Sequence, residues 1–495
     1  MFKKIINYLK ENSFETIYFN IGISIILISI ISIISLNIHY PFLWFDEAVQ
    51  FWISNGIKPD AQAFTKIGSL YDAIYLNKYF NLDPGGFTII IRYWSKINTN
   101  QSFLRLLPFL FYIAAHSLII YILYLKNKNI FVSTLFSFVI FLFPNLYETA
   151  FELRAYSMEL LGIVIIILAI EVCNKDSKHK SIFLFSIMSA ILMTSRYSTL
   201  ITVSIGLVVV FTKIYNPNDT IKNRIKLAAL IFTPFIIISM GVYFFSYSTQ
   251  SKFANKLPYL NYLDGNLEFL YTPLNIVMLS LLLTILIVAI KTKKIILIYT
   301  CCINVAFIFL SVLGKYPFDL ASARCNAITL PIIISMLLIM HKKIGAILNN
   351  NWTKISITTI LIFILQQNAP VFLPKFDKPI EIYTDLLKLN KKNSHTFFID
   401  RWSNTSIRYM YEYGELKNKQ LAHSYPEKFT LMSNNEPYEL KSDAKKWYNS
   451  QQKMNELLEF EYLITPELAH YTSIETQKDW KAINLEKSIY TKETK

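Results

Sequence analysis

Trp44-Phe45-Asp46-Glu47-Ala48 follows directly on a long apolar segment that runs from about Tyr18 to Ile38. Two adjacent carboxylates at the end of a stretch long enough to cross a bilayer are costly to bury in hydrocarbon, so they belong at its edge. Consecutive side chains point about 100° apart in a helix and to opposite faces in a strand, so Asp46 and Glu47 are expected to take different roles. The plainer reading is an acidic cap, in which either carboxylate accepts amide hydrogen bonds where a helix begins. On these residues alone both readings stand.

The rest of the chain supports a membrane setting. Of 495 residues 53% are hydrophobic and only 17% are charged, too few charges for an ordinary soluble surface. Apolar segments near or at spanning length run over about 18–38, 103–125, 129–145, 153–172, 181–194, 197–214, 226–247, 272–290, 295–314, 325–341 and 354–367. These predict about 11 transmembrane helices. The net charge of +15 is then first a topology signal rather than a sign of nucleic acid. With a cytoplasmic N-terminus, the basic clusters at 126–128, 174–180, 213–226, 291–294 and 341–354 all fall on the cytoplasmic side. Tyr18–Ile38 is too long for a secretory h-region and has no small-residue cleavage site, so it reads as a retained span.

The other face carries the polar connections. The main one, 39–102, is rich in aromatics and is broken by Pro41, Pro59, Pro84 and Gly85-Gly86. Within it, the run from Phe87 to Trp94 reads as a short interfacial helix whose Arg92 and Trp94 reach lipid headgroups. From Asn368 the composition turns to Lys, Asn, Glu and Ser. Here Thr396–Asp400 reads as a buried strand, Ile382–Leu389 as a helix, and a further helix starts after Trp402. The domains expected are therefore a transmembrane catalytic domain over 1–367 and a soluble extracytoplasmic α/β domain over 368–495. Cys173, Cys301, Cys302 and Cys325 have no metal-ligand spacing, and no phosphate-binding glycine loop is present.

In order along the chain come a basic N-terminus, a first span, the Asp46-Glu47 pair and the Asp-Pro element Asn81-Leu82-Asp83-Pro84-Gly85-Gly86. They are followed by Glu152-Leu153-Arg154-Ala155-Tyr156 and by Tyr316-Pro317-Phe318 with Arg324. This series resembles the integral-membrane glycosyltransferases of the GT-C type, in particular the group with the protein O-mannosyltransferases and the aminoarabinose and galacturonic acid transferases of lipid A. The likeness covers roughly 19–335. It implies an inverting transfer of a sugar from a polyprenyl phosphate donor to an acceptor on the outer side of the membrane. By that resemblance Asp46 is the catalytic base and Glu47 its companion acid. Asp83 stands in the element that carries His-Pro-Pro or Lys-Pro-Pro in the family, while Glu152, Arg154, Tyr156 and Arg324 fall on its substrate-side loops.

The residue types suit that reaction. An acceptor hydroxyl needs a carboxylate within hydrogen-bond reach to take its proton. A lipid phosphate leaves without help from an acid and asks instead for fixed positive charge, which Arg154, Arg324, Arg196 and Lys315 offer. The same arginines also suit the ordinary task of anchoring helix ends to headgroups. Asp46, Glu148 and Glu152 are acids that can gather a divalent metal, although no spacing demands one. Envelope glycan, lipid or protein are the acceptors expected, in a bacterial inner membrane. Two other readings remain: an O-antigen polymerase or ligase, and a lipid or sugar transporter. A transporter is expected to show polar midplane residues in matched halves, a pattern not seen in the sequence.

Overall fold

The computed structural model describes residues 43–59, 65–81, 83–128, 130–137, 140, 143, 146–147, 149–254, 273–313, 315–316 and 326–347, with isolated positions between 28 and 39. Beyond them it describes 359, 397–399, 405–406, 408–409, 413, 462–464, 480–482 and 489–492. In chain order the helices are α1 (Phe45–Ser54), α2 (Leu70–Phe80), α3 (Gly86–Ser95), α4 (Gln101–Asn127), α5 (Ile130–Ser137), α6 (Tyr156–Val172), α7 (His179–Leu192) and α8 (Tyr197–Ile214). Then come α9 (Ile221–Val242), a π-helical turn (Tyr243–Tyr247), α10 (Ser248–Ala254), α11 (Pro273–Thr292), α12 (Ile295–Val312) and α13 (Asn326–Ile347).

The chain divides into two compact units. The first comprises Met1–Ile38, Asp83–Phe87 and Leu106–Leu373, and the second His39–Leu82, Thr88–Arg105 and Pro374–Lys495. Among the described residues four stretches are long and apolar enough to cross a membrane: Gln101–Lys126, Tyr197–Ile214, the continuous helical run Ile221–Ser251, and Ile295–Val312. The protein is a helical membrane protein. The expected spans at 181–194, 272–290 and 325–341 coincide with helices whose apolar stretch is shorter, and those at 18–38 and 354–367 lie outside the described residues apart from isolated positions.

In the first unit, α6 is buried almost all round, which fits a sequence with hydrophobic residues on every face. It packs against α7, α8, α12 and α13. Polar contacts at both ends fix α6 and α8 as parallel neighbours: near their starts Ser198 donates to Glu159, and at their ends Lys213 donates to the carbonyls of Ile170 and Glu171. A lysine on the last carbonyls of a helix meets acceptors that the helix cannot satisfy itself. Between these ends Gly206 lets the two helices close up, because a Cβ there would overlap Ile166.

The second unit is built on three short helices. Gln50 donates to Thr88 at 2.8 Å, Thr88 donates to Asn77 at 2.6 Å, and Asn81 donates to Gln50 at 2.6 Å. That chain of hydrogen bonds joins α1, α2 and α3. Arg92 corrects the sequence reading: it is buried rather than at a headgroup, donating to the Ser54 carbonyl at 3.1 Å and the Gly68 carbonyl at 2.6 Å. The reason is local, since the end of α1 and the turn before α2 leave carbonyls without helical partners. Trp94 likewise spends its indole N–H on the Phe103 carbonyl at 2.8 Å and stacks on the Phe103 ring.

Toward the C-terminus the described residues include four short strands, β1 (Phe397–Ile399), β2 (Tyr462–Ile464), β3 (Trp480–Ala482) and β4 (Ile489–Lys492). They form one sheet in the order β1-β2-β4-β3, with β1 and β2 parallel and the other two pairings antiparallel. β1 is the strand expected within 396–400. The helix expected over Ile382–Leu389 lies outside the described residues.

Candidate functional site

Asp46 and Glu47 belong to the second unit, in the first turn of α1, where acidic residues complement the helix dipole. Asp46 is half-buried and Glu47 is buried. The different roles expected for the two are visible for Glu47. One of its oxygens accepts the Trp44 amide at 3.2 Å, the reach-back contact of a helix start, so the capping role falls to this residue. Its carboxylate also takes a two-pronged ion pair from Arg105, Nε to Oε1 at 3.0 Å and Nη2 to Oε2 at 2.6 Å.

A segment distant in sequence completes this cluster. Trp52 donates its indole N–H to the Thr405 carbonyl at 2.9 Å, and the Arg408 guanidinium lies over the Trp52 ring, 4.1 Å from its centroid. Tyr409 and Tyr413 set their rings edge-on to Phe51, and the Tyr409 hydroxyl donates to the Thr99 carbonyl at 2.5 Å. Burial pushes the Tyr409 phenol well above its ordinary pKa, so it stays a donor. Neither Arg105 nor the 405–413 segment was a candidate from the sequence. A charge just inside the apolar run at 103–125 was the signal for Arg105; the second has no local signal, because contacts across some 350 residues leave none.

The first unit holds Asp83, Glu152, Arg154, Tyr156, Arg196 and Lys315. Two of the expected arginines converge on one ring: Arg154 lies 5.0 Å and Arg196 4.5 Å from the Tyr156 ring centroid. Arg154 leaves a tight turn in which its amide donates to the Glu152 carbonyl at 2.6 Å. Arg196 is held from behind by Glu159, Nη1 to Oε2 at 3.0 Å. Glu159 is wholly buried and also accepts from the Ser198 hydroxyl. Burial works against the charge on Arg196, and the Glu159 carboxylate, followed by the Tyr316 and Tyr156 phenols, more than restores it. Glu159 was missed, although an acid one turn inside an apolar segment is a signal in its own right.

Asp83 builds a turn. Its Oδ1 accepts the Gly85 amide at 2.9 Å, and Gly85 takes a φ of 95°, which favours glycine. The next residue, Gly86, donates its amide to the Thr194 carbonyl at 3.0 Å, and a Cβ on Gly86 would overlap the Thr194 side chain. The turn is fastened on its other side by Gln250, which donates to the Asp83 carbonyl at 3.1 Å, and by Ser246, which donates to the Pro84 carbonyl at 3.0 Å. Tyr197 in turn donates to the Gln250 side chain at 2.6 Å. The Asp83 carboxylate is thus engaged in the shape of its own loop.

Lys315 is exposed, and its amide donates to the Leu310 carbonyl at 2.8 Å, closing the end of α12. Arg324 and Glu148 lie outside the described residues. Among the described residues no three His, Cys, Asp or Glu side chains gather as a metal site would require. Cys173, Cys301 and Cys302 are free thiols. No known protein family's sequence profile matches the chain, and no curated protein is similar to it.

Chemically, the two units offer different things. The paired arginines on Tyr156 present delocalised positive charge with several N–H donors, suited to the oxygens of a phosphate. Asp46 is a half-buried acid in the first turn of α1, next to Glu47 with its Arg105 pairing.

Proposed function

We propose that the protein is an inverting glycosyltransferase of GT-C-like architecture, moving a sugar from a polyprenyl phosphate donor to an envelope glycan, lipid or protein. In this reading Asp46 accepts the proton of the acceptor hydroxyl as its oxygen attacks the anomeric carbon, and the lipid phosphate departs with the bonding electron pair. Arg154 and Arg196 neutralise the phosphate as it takes up charge, with Arg324 and Lys315 as further cations of the same kind. A single displacement inverts the anomeric configuration. The eleven-span topology, the cytoplasmic N-terminus, the bacterial inner membrane and an extracytoplasmic α/β domain over 368–495 belong to the same proposal, supported by the distribution of basic loops.

The single observation that carries the reading is the pair of arginines on Tyr156, one of them braced by a buried glutamate. An ordinary headgroup anchor does not call for such bracing from inside the protein. The direct test is to supply purified protein with synthetic polyprenyl phosphate sugars and measure release of the free lipid phosphate. Release is expected from wild type, and Asp46→Asn, which keeps the size of the side chain, is expected to lower it by about a hundredfold or more while insertion and melting stay normal. Wild-type turnover in Asp46→Asn removes Asp46 as the base. No release from any donor overturns the transferase reading.

A further inference from the structure

The helical stretches 295–312 of α12 and 326–340 of α13 carry no charged residue, yet they bury polar side chains whose hydrogen-bonding atoms find no partner in the protein. Asn326, the first residue of α13, is fully buried with both its amide nitrogen and its oxygen unmet. On α12 the Ser311 hydroxyl and the Asn304 oxygen are in the same state. The second residue of α6, Ser157, is a further case. Deeper in the same helix pair the polar groups are satisfied: Thr300 and Ser335 share a hydrogen bond of 2.7 Å, and the Asn304 nitrogen donates to the Thr300 carbonyl at 2.9 Å. The Asn304 oxygen is unmet all the same, and an unmet buried hydroxyl also occurs elsewhere, at Ser189 of α7.

The unmet groups on α6, α12 and α13 are linked to the arginine pair through their neighbours. At about 100° per residue, Asn304, Phe307 and Ser311 share one narrow face of α12. The Phe307 ring lies 4.9 Å from the ring of Tyr316, and the Tyr316 phenol is close enough to Arg196 to act on its charge. Ser157 follows Tyr156, the ring on which both arginines rest. Helix α13, which begins at Asn326, packs against both α6 and α12. Buried polar groups with no partner inside a protein are met by something that comes from outside it. In a membrane domain such groups are costly, and apolar residues of similar size would spare the cost.

We infer that Asn304, Ser311 and Asn326, with Ser157, form the subsite that receives the hydroxyl groups of the donor's sugar, and that this sugar is uncharged. The inference rests on the transferase reading and deepens it. Amide and hydroxyl groups can both give and accept hydrogen bonds, as sugar hydroxyls do, whereas a uronic acid calls for a cation and an amino sugar for an anion, and none of these four side chains supplies either. The positive charge sits next door, where the phosphate needs it.

The test compares polyprenyl phosphates bearing a neutral hexose, an amino sugar or a uronic acid, and the unglycosylated polyprenyl phosphate as a binding probe. Wild type is expected to release lipid phosphate from the neutral donor at least tenfold faster than from either charged one. Asn326→Leu and Asn304→Leu are expected to lower kcat/KM for the neutral donor tenfold or more, with the melting temperature unchanged or raised and the affinity for bare polyprenyl phosphate unchanged. Asn304→Asp, nearly isosteric, is expected to shift use toward the amino-sugar donor. Wild-type kcat/KM and sugar preference in all three variants would mean that the unmet groups hold water only, and would overturn the subsite while leaving the transferase reading standing. A wild type that prefers a charged sugar overturns it as well. Release from no donor at all defeats the underlying reading instead, so the two failures are told apart.

Discussion

Among the described residues each unit contains one buried glutamate paired with an arginine, and the two pairs are built differently. Glu47 and Arg105 are both sealed, their side chains 1% and 2% exposed, and two N–H groups meet two oxygens. Glu159 is equally sealed, but its partner Arg196 is 19% exposed, meets the acid through Nη1 and spreads its face over Tyr156. A pair closed on both sides has spent its charge on holding structure. A pair whose cation reaches the surface has the acid fixing the direction in which that cation lies. The lesson is that ion-pair burial alone says little about purpose, whereas the asymmetry of burial within a pair says more.

The sharpest way to break this contrast is Arg105→Ala. It would leave Glu47 charged, buried and facing empty space, a loss of about 3–5 kcal/mol. Thermal or denaturant melting in detergent should show it, with Arg105→Lys recovering only part because an ammonium cannot reproduce the fork. If Arg105→Ala melts like wild type, the sealed pair is not structural and the comparison fails.

Arg196→Ala is expected to cost less stability, about 1–3 kcal/mol, because Ser198 still donates to Glu159. Its larger effect should fall on ligand: binding of polyprenyl phosphate, followed by titration, is expected to weaken about tenfold to a hundredfold. Unchanged affinity would return Arg196 to the role of a helix-end anchor and make the two pairs alike.

The smallest effect concerns a carboxylate with no arginine fork. Asp72 accepts both the amide and the hydroxyl of Ser69, at 2.6 Å and 2.7 Å, and these bonds hold its pKa below the ordinary 3.8. A lowered folded-state pKa means that the contribution is present above about pH 3.8 and is lost as the pH falls through the folded value. Amide exchange at the start of α2 should therefore accelerate below that pH in wild type, and Asp72→Asn should remove the dependence.

Much of the helical scaffold was legible in the sequence, because apolar length is a local property: the runs at 103–125, 197–214 and 295–314 coincide with α4, α8 and α12. The arginines at 154 and 196 stood out because charge in greasy surroundings is conspicuous, and both do reach Tyr156. Arg92 misled for the same reason. Its exposure was inferred from its neighbours, while its direction is set by two carbonyls, at Ser54 and Gly68, that no sequence window containing it includes. Asp83 showed a related limit: an acid before Pro-Gly-Gly signals a turn and a charge equally well, and only the Gly85 amide decides how the carboxylate is used. The clamp of Thr405 and Tyr409 on α1 has no local signature at all.

The π-helical turn at Tyr243–Tyr247 has a consequence for how this chain tolerates change over evolutionary time. A π turn is one residue wider than the α-helix around it, in effect a single-residue insertion that the helix has absorbed. Ser246 and Gln250, which grip the Asp83-Pro84 carbonyls, lie within or just after that extra residue. Deleting one position between 243 and 247 would reverse that insertion and return a regular helix whose downstream residues keep their directions, whereas a deletion within the regular part of α9 would swing whatever follows by about 100°. Gln250 would then be carried off its carbonyl without any change in its identity. The length of the regular helix ahead of the π turn is therefore less tolerant of change than the length of the turn itself.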